Sequence, residues 1–275
     1  MSESTSQRNE YLLGHSANEE ERLRRQPREL APDSSRLLDQ LGIRPGDQAV
    51  DIGCGPHGIL DLLSERVGQT GKVVGVERNQ ATVQLAREFI ARRQLQNVEV
   101  LRADAKATGL PRASFDVVHA RLVLVNVPEP ERVVQEMIAL ARPGGIVASH
   151  EADWGAGFCD PPSPAWDRLL EVFKAYSRNN GIDPFVGRRA HQLFRTAGLT
   201  DIDVTPLLHV YPPNNSRRNI LCDLVESVRD QVVEDGLMRQ VEFEENLREL
   251  KLHLEDPNTL VISNLFFQVW GKKPK

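Results

Sequence analysis

The residues best able to do chemistry fall in two stretches. In the first, Gly53, Gly55 and Gly58 are spaced G-x-G-x-x-G, with Asp51 just ahead of them and Glu77 beyond. Such spacing allows a tight turn, brings bare backbone up to a ligand and aims the free N–H groups of a following helix at it. An acid roughly 20 positions further on, at the end of the next strand, can accept hydrogen bonds from both hydroxyls of a ribose. This is the chemistry of nucleoside binding. The second stretch holds His119, Arg121, His150, Glu151 and Asp153. Histidine titrates near neutral pH and is the better general base. Strand alternation sends His150 and Glu151 to opposite faces, so both cannot face one pocket unless the strand has ended. His150 and Glu151 are the candidate catalytic residues, as base or as orienter of an acceptor.

Elements must carry these residues to one place. Residues 49–52 are a short apolar run of the kind that forms a central parallel strand, and the glycine turn leads from it into a helix. Residues 72–76 make a second strand that ends in Glu77. Asn79 is a credible N-cap for a helix to residue 93, with Val83, Ala86, Phe89 and Ile90 at helical spacing. Further strands are expected over 97–101, 115–120, 146–149, 202–210 and 259–270. Helices are expected over 18–26, 32–40, 129–140, 166–177 and 188–196. A helical insertion over 216–255 should break near Gly236. Arg121, His150 and Trp154 fall just beyond strand ends, the edge at which open α/β sheets bind ligands.

Two cofactors fit the glycine turn and Glu77, a nicotinamide dinucleotide and S-adenosylmethionine. Asp51 favours the second, because a carboxylate there attracts an amino group and a sulfonium and repels a pyrophosphate. Asp51-Ile52-Gly53-Cys54-Gly55 resembles motif I of the class I S-adenosylmethionine-dependent methyltransferases. Arg102-Ala103-Asp104-Ala105, Ser114-Phe115-Asp116-Val117-Val118 and Leu140-Ala141-Arg142-Pro143-Gly144-Gly145 resemble later segments of that family, in order, so the likeness covers residues 46–150. The nearest branch is the small-molecule one that includes ubiquinone, menaquinone and natural-product methyltransferases. The resemblance implies a Rossmann-like α/β fold: seven mostly parallel strands, helices on both faces, an N-terminal helical lid (1–30) and a methyltransferase domain (31–275) with a helical cap near 212–257. It implies Asp51, Gly53, Gly55, Gly58, Glu77, Asp104, Ala105 and Ala120 around the cofactor, with Tyr11 reaching it from the lid beside Arg22 and Gln26. Arg121, Trp154 and Tyr176 are the acceptor-side residues. His57 is expected near the methionine end. Methyl transfer to oxygen or carbon of a small lipophilic molecule is the expected activity. A non-methylating cyclisation or rearrangement, and a non-catalytic cofactor-binding subunit, are the alternatives.

Composition bounds these readings. The chain has 275 residues, 40% hydrophobic and 27% charged, with a net charge of −5. That size suits one large domain or a domain with a cap, and the acidic balance argues against a nucleic-acid binder. No apolar run approaches the ~18 residues of a membrane span. Cys54, Cys159 and Cys222 are widely spaced, which suits reduced thiols and a cytoplasmic protein. His191, His209 and His253 lack metal-ligand spacing, so no metal is expected. A small-molecule substrate is the expected partner, with homodimerisation left open. Trp154, Phe158, Trp166, Phe173, Tyr176 and Phe185 are the candidate pocket walls, although aromatics are only 5% of the chain.

Overall fold

A computed structural model describes Leu13 and residues 17–275. Its centre is a seven-stranded sheet built from β1 (Gln48–Ile52), β2 (Lys72–Glu77), β3 (Val98–Arg102), β4 (Phe115–Arg121), β5 (Ala141–Asp153), β7 (Thr200–Leu207) and β9 (Leu265–Lys272). The order is β3-β2-β1-β4-β5-β9-β7. The pairs among β1 to β5 are parallel, and β9 runs antiparallel to both β5 and β7. This is the expected Rossmann-like methyltransferase sheet. A separate ribbon joins β6 (Phe158–Asp160) to β8 (Leu260–Ile262), so the expected final strand is two strands serving two sheets.

Apolar side chains alternate between two layers. Ala49, Val73, Val100, Val117 and Ala148 face α2 (Leu60–Val67), α3 (Gln80–Arg93) and the C-terminal half of α1 (Ala17–Gln40). Val50, Ile52, Val74, Val118 and Val147 face α4 (Pro130–Leu140), α6 (Val186–Thr196) and the cap. The cap is α5 (Pro164–Asn179), α7 (Ile220–Ser227), α8 (Arg229–Glu234) and α9 (Gln240–Glu255), so the expected insertion has a third helix. The cap read from sequence forms, the Asn79 side chain accepting from Thr82 N–H at 3.0 Å, while α5 begins two residues earlier than expected, capped by Ser163 ahead of Pro164.

Two expectations are corrected. The helices expected over 18–26 and 32–40 are one helix, α1, which runs through Pro27 and Pro32. Interior proline loses a hydrogen bond and crowds the preceding turn. Contacts on both flanks hold α1 straight through: Arg25 pairs with Asp223 of α7 at 3.0 Å, and Gln268 Nε2 donates to Asp33 O at 2.9 Å. The strand expected over 146–149 extends to Asp153 in β5, because antiparallel pairing with β9 continues from Ile146 through Asp153.

Candidate active site

The glycine turn between β1 and α2 is shaped by contacts that leave no room for side chains. Gly53, Gly55 and Gly58 have φ of +66°, +59° and +47°, a region L-residues avoid. A Cβ on Gly58 would lie 2.4 Å from Asp51 Oδ2 and 2.5 Å from Cys54 O, and one on Gly53 would lie 2.5 Å from a Val123 methyl. A Cβ on Gly55 would meet nothing within 4 Å, so that backbone lies open to the cavity. Asp51 is buried, and both oxygens have partners within the chain. Oδ2 accepts from Ile59 N–H at 3.3 Å at the start of α2, and Oδ1 is 2.8 Å from His119 Nδ1. The registered pair Asp51↔His119 between β1 and β4 sets this contact. Much of the Asp51 charge therefore holds the turn in place.

Glu77 ends β2 beside that turn. Its carboxylate accepts from Gly55 N–H at 3.1 Å and Asn79 N–H at 2.8 Å. Asp104 and Ala105 follow β3, where Asp104 accepts from Lys106 N–H at 2.8 Å. Together Asp51, Gly53, Gly55, Gly58, Glu77, Asp104 and Ala105 line one end of a cavity of about 1510 Å³. Ala120, expected at the cofactor, is buried within β4 in the main core and does not reach the cavity. Tyr11 lies outside the described residues. His57 stacks on Phe89 at 4.5 Å instead of lining the cavity, and burial lowers its pKa.

The other end of the cavity lies between α1, the loop after β4 and the cap. Arg121, Trp154 and Tyr176 line it, with Phe173, Leu224 and Phe266. The volume exceeds the roughly 300–1,000 Å³ of ordinary ligand pockets, enough for a cofactor and a second molecule. Arg121 donates to Ser34 Oγ at 2.8 Å and Gly58 O at 3.2 Å. Burial pushes its pKa down to about 10, against the support of Asp51. Arg22, Gln26 and Pro27 of α1 also line the cavity, and Arg22 donates to Gln26 Oε1 at 2.5 Å.

His150 and Glu151 do not stand where a base for a cavity-bound acceptor must stand, and this corrects the expectation for them. Neither lines the cavity, because β5 continues past both and buries them on opposite faces. His150 is 0% exposed, sits edge-on to Phe266 at 5.5 Å and has no hydrogen-bond partner among the described residues for either ring nitrogen. Burial, with Arg121 nearby, lowers its pKa to about 3. Glu151 accepts from Val123, Leu124 and Val125 N–H at 3.2, 3.1 and 3.2 Å. It anchors the loop after β4, and burial pushes its pKa up to about 8. Asp153 is also buried and grips Arg188 at 2.5 and 2.7 Å. Trp166 is buried in the core, Phe158 is exposed on β6, and Phe185 carries Arg178 and Arg188 over its ring at 5.3 Å. Sequence reasoning missed Arg217, which comes to the cavity from a short 3-10 helix (Ser216–Asn219), 188 positions from its α1 partner Glu29. No local pattern marks it.

Among the described residues no three metal-ligating side chains gather, and no helix is long and apolar enough to cross a membrane. Residues 43–193 match a family model described as a methyltransferase domain. An uncharacterized 37.1 kDa protein of transposon TN4556 from Streptomyces fradiae is 33% identical over 184 residues, 64% of this chain and 50% of that protein. The chain therefore spans half the length of that relative. A demethylmenaquinone methyltransferase of Geobacillus stearothermophilus is 28% identical over 182 residues, 62% of this chain and 78% of that protein. In structure, phosphoethanolamine N-methyltransferase 2 of Haemonchus contortus, solved with phosphomonomethylethanolamine and S-adenosylhomocysteine, superposes with a TM-score of 0.56 at 18% identity. That match covers 88% of this chain and 53% of that one, and shows a shared fold.

Proposed function

The chain belongs to the methyltransferase-domain family, and from that premise we propose that it transfers a methyl group from S-adenosylmethionine to oxygen or carbon of a small, lipophilic organic acceptor. The observation that carries this reading is the Glu77 carboxylate, fixed by Gly55 and Asn79 N–H groups beside glycine backbone open to the cavity. Those residues fit a ribose, with Asp104 and Ala105 placed for the adenine and the Gly53–Gly55 turn for the methionine end. The bound cofactor supplies a methyl already activated on a sulfonium. The chain's own task is then to hold the acceptor and exclude water. Trp154, Phe173 and Phe266 form apolar walls for that purpose, and Arg121 offers one fixed polar contact. The relatives named demethylmenaquinone methyltransferases support an acceptor of quinone-like size and character. We place the reaction in the cytoplasm, without nucleic acid.

The test uses S-adenosylmethionine labelled in its methyl, the purified protein and fractionated extract of its source cell. Label in the organic-soluble fraction is expected. Label confined to protein or RNA would overturn the small-molecule reading.

A further inference from the structure

Resting on that reading, we propose that the acceptor is an acid bound as its anion, with Arg121 and Arg217 holding the charge on the α1 side of the cavity. Both guanidinium groups line the cavity, yet each residue is only 7% exposed. A buried charge is costly unless it is paired. The hydrogen-bond partners of Arg121 among the described residues, Ser34 Oγ and Gly58 O, are both neutral, and they occupy two of its five N–H donors. Arg217 donates Nε–H to the Tyr211 hydroxyl at 3.0 Å and Nη1–H to Glu29 at 3.2 Å. Its guanidinium lies over Phe266 at 5.5 Å. Both arginines bond to α1 side chains, Arg121 to Ser34 and Arg217 to Glu29, and both line the same cavity. An anion there would give Arg121 the charged hydrogen-bond partner it lacks and share Arg217 with Glu29, and the planar forks suit a carboxylate or a delocalised enolate.

The lining contains no histidine among the described residues, and the Asp51 carboxylate is already occupied by His119 and Ile59 N–H; its cap-side carboxylates, Glu234 and Asp235, come from the end of α8. When the ionised oxygen of the acceptor is itself the methylated atom, its lone pair displaces the sulfonium and there is no proton for the protein to take. The neighbouring walls, Trp154, Phe173 and Phe266, are apolar and aromatic. The ligand class is thus an aromatic or fused-ring acid, methylated at the oxygen of its carboxylate or enolate.

Titration calorimetry with saturating S-adenosylhomocysteine tests this on a matched pair, 1-hydroxy-2-naphthoate and 1-naphthol, near neutral pH. They share a ring system, and only the first is ionised. The naphthoate should bind at least tenfold more tightly than the naphthol, and R217Q or R121Q should lose that preference. R217K, which keeps the charge, should retain part of it. The proposal fails if the two probes bind alike, if neither binds at about 1 mM, if the preference survives in both glutamine variants, or if the naphthoate displaces S-adenosylhomocysteine. The wild-type comparison stands even if a variant does not fold. Failure of S-adenosylhomocysteine itself to bind would instead overturn the methyltransfer reading.

Discussion

Substituting alanine at Gly58 and at Gly55 separates the folding role of the turn from its binding role. Both positions have positive φ, so alanine costs about 1–2 kcal/mol at either through backbone strain alone. Their surroundings differ. At Gly58 the new methyl would overlap Asp51 Oδ2 at 2.4 Å and the Cys54 carbonyl at 2.5 Å, and the carbonyl is backbone that no rotamer change can move. Asp51 must shift, which sacrifices a buried charged hydrogen bond to Ile59 N–H or His119 worth about 1.5–3 kcal/mol. The sum for G58A is about 2.5–5 kcal/mol, or roughly 5–20 °C in melting temperature for a chain of this size. At Gly55 nothing lies within 4 Å of the new methyl, so G55A should lose only about 1–2 kcal/mol of stability. Its methyl would occupy cavity space, and the loss should appear in cofactor affinity. Differential scanning fluorimetry, with and without S-adenosylhomocysteine, reads both quantities. A G58A protein melting within about 2 °C of wild type, or a G55A protein binding cofactor as tightly as wild type, would refute this account of the turn.

Other consequences can be measured with the same assays. E77A removes a carboxylate fixed by two N–H groups and should weaken S-adenosylhomocysteine binding by roughly tenfold to hundredfold, as expected for one or two charged hydrogen bonds; unchanged affinity in calorimetry would exclude it from the ribose site. R188A strips the half-exposed partner from wholly buried Asp153, which keeps its bonds to Gly155 and Arg188 backbone N–H, so a loss of about 2–3 kcal/mol in urea unfolding is expected. Stability should also depend on pH through two buried neighbours on β5. The His150 pKa is lowered to about 3, so the unfolded chain binds the extra proton and stability falls as pH drops from about 6.5 toward 3. The Glu151 pKa is raised to about 8, so the folded chain keeps its proton longer and stability falls as pH rises from about 4.5 toward 8. E151Q should flatten the second limb of a melting-temperature profile and leave the first; an unaltered profile would show that Glu151 does not titrate in that window.

The glycine-turn end of the cavity was readable because its signals are local. A glycine spacing, an acid at a strand end and an asparagine cap each act through backbone a few residues away, and the parallel register then stacks them at one sheet edge. His150 and Glu151 were misplaced for a related reason. Their alternation was correct, but the end of β5 is decided by β9, which pairs with Asp153 from more than a hundred positions downstream. Without that partner the strand reads as finished at 149, which would have released His150 into the pocket. Arg217 shows the same limit. Its neighbours in sequence are polar and turn-like, and its role depends on Tyr211, Glu29 and Phe266 meeting around it.

The N-terminal segment extends this point to movement. A lid formed by residues 1–30 needs a hinge near its end, yet α1 is continuous from Ala17 to Gln40. Beyond residue 30 it is fastened to the sheet by Arg121 on Ser34, Gln268 on Asp33 O, and His209 Nε2 at 2.9 Å from Asp33 Oδ2. Before residue 30 it is fastened to the cap, through Arg25 with Asp223 and Glu29 with Ser216 and Arg217. Leu30, buried between these regions, belongs to the main core. The helix α1 is thus a wall shared by sheet and cap, and any opening must carry α7 with it or break the half-buried Glu29–Arg217 pair. Deleting residues 1–30 should therefore lower the melting temperature as well as cofactor and acid binding. A truncated protein that melts like the full chain and has lost only affinity would restore the simple lid.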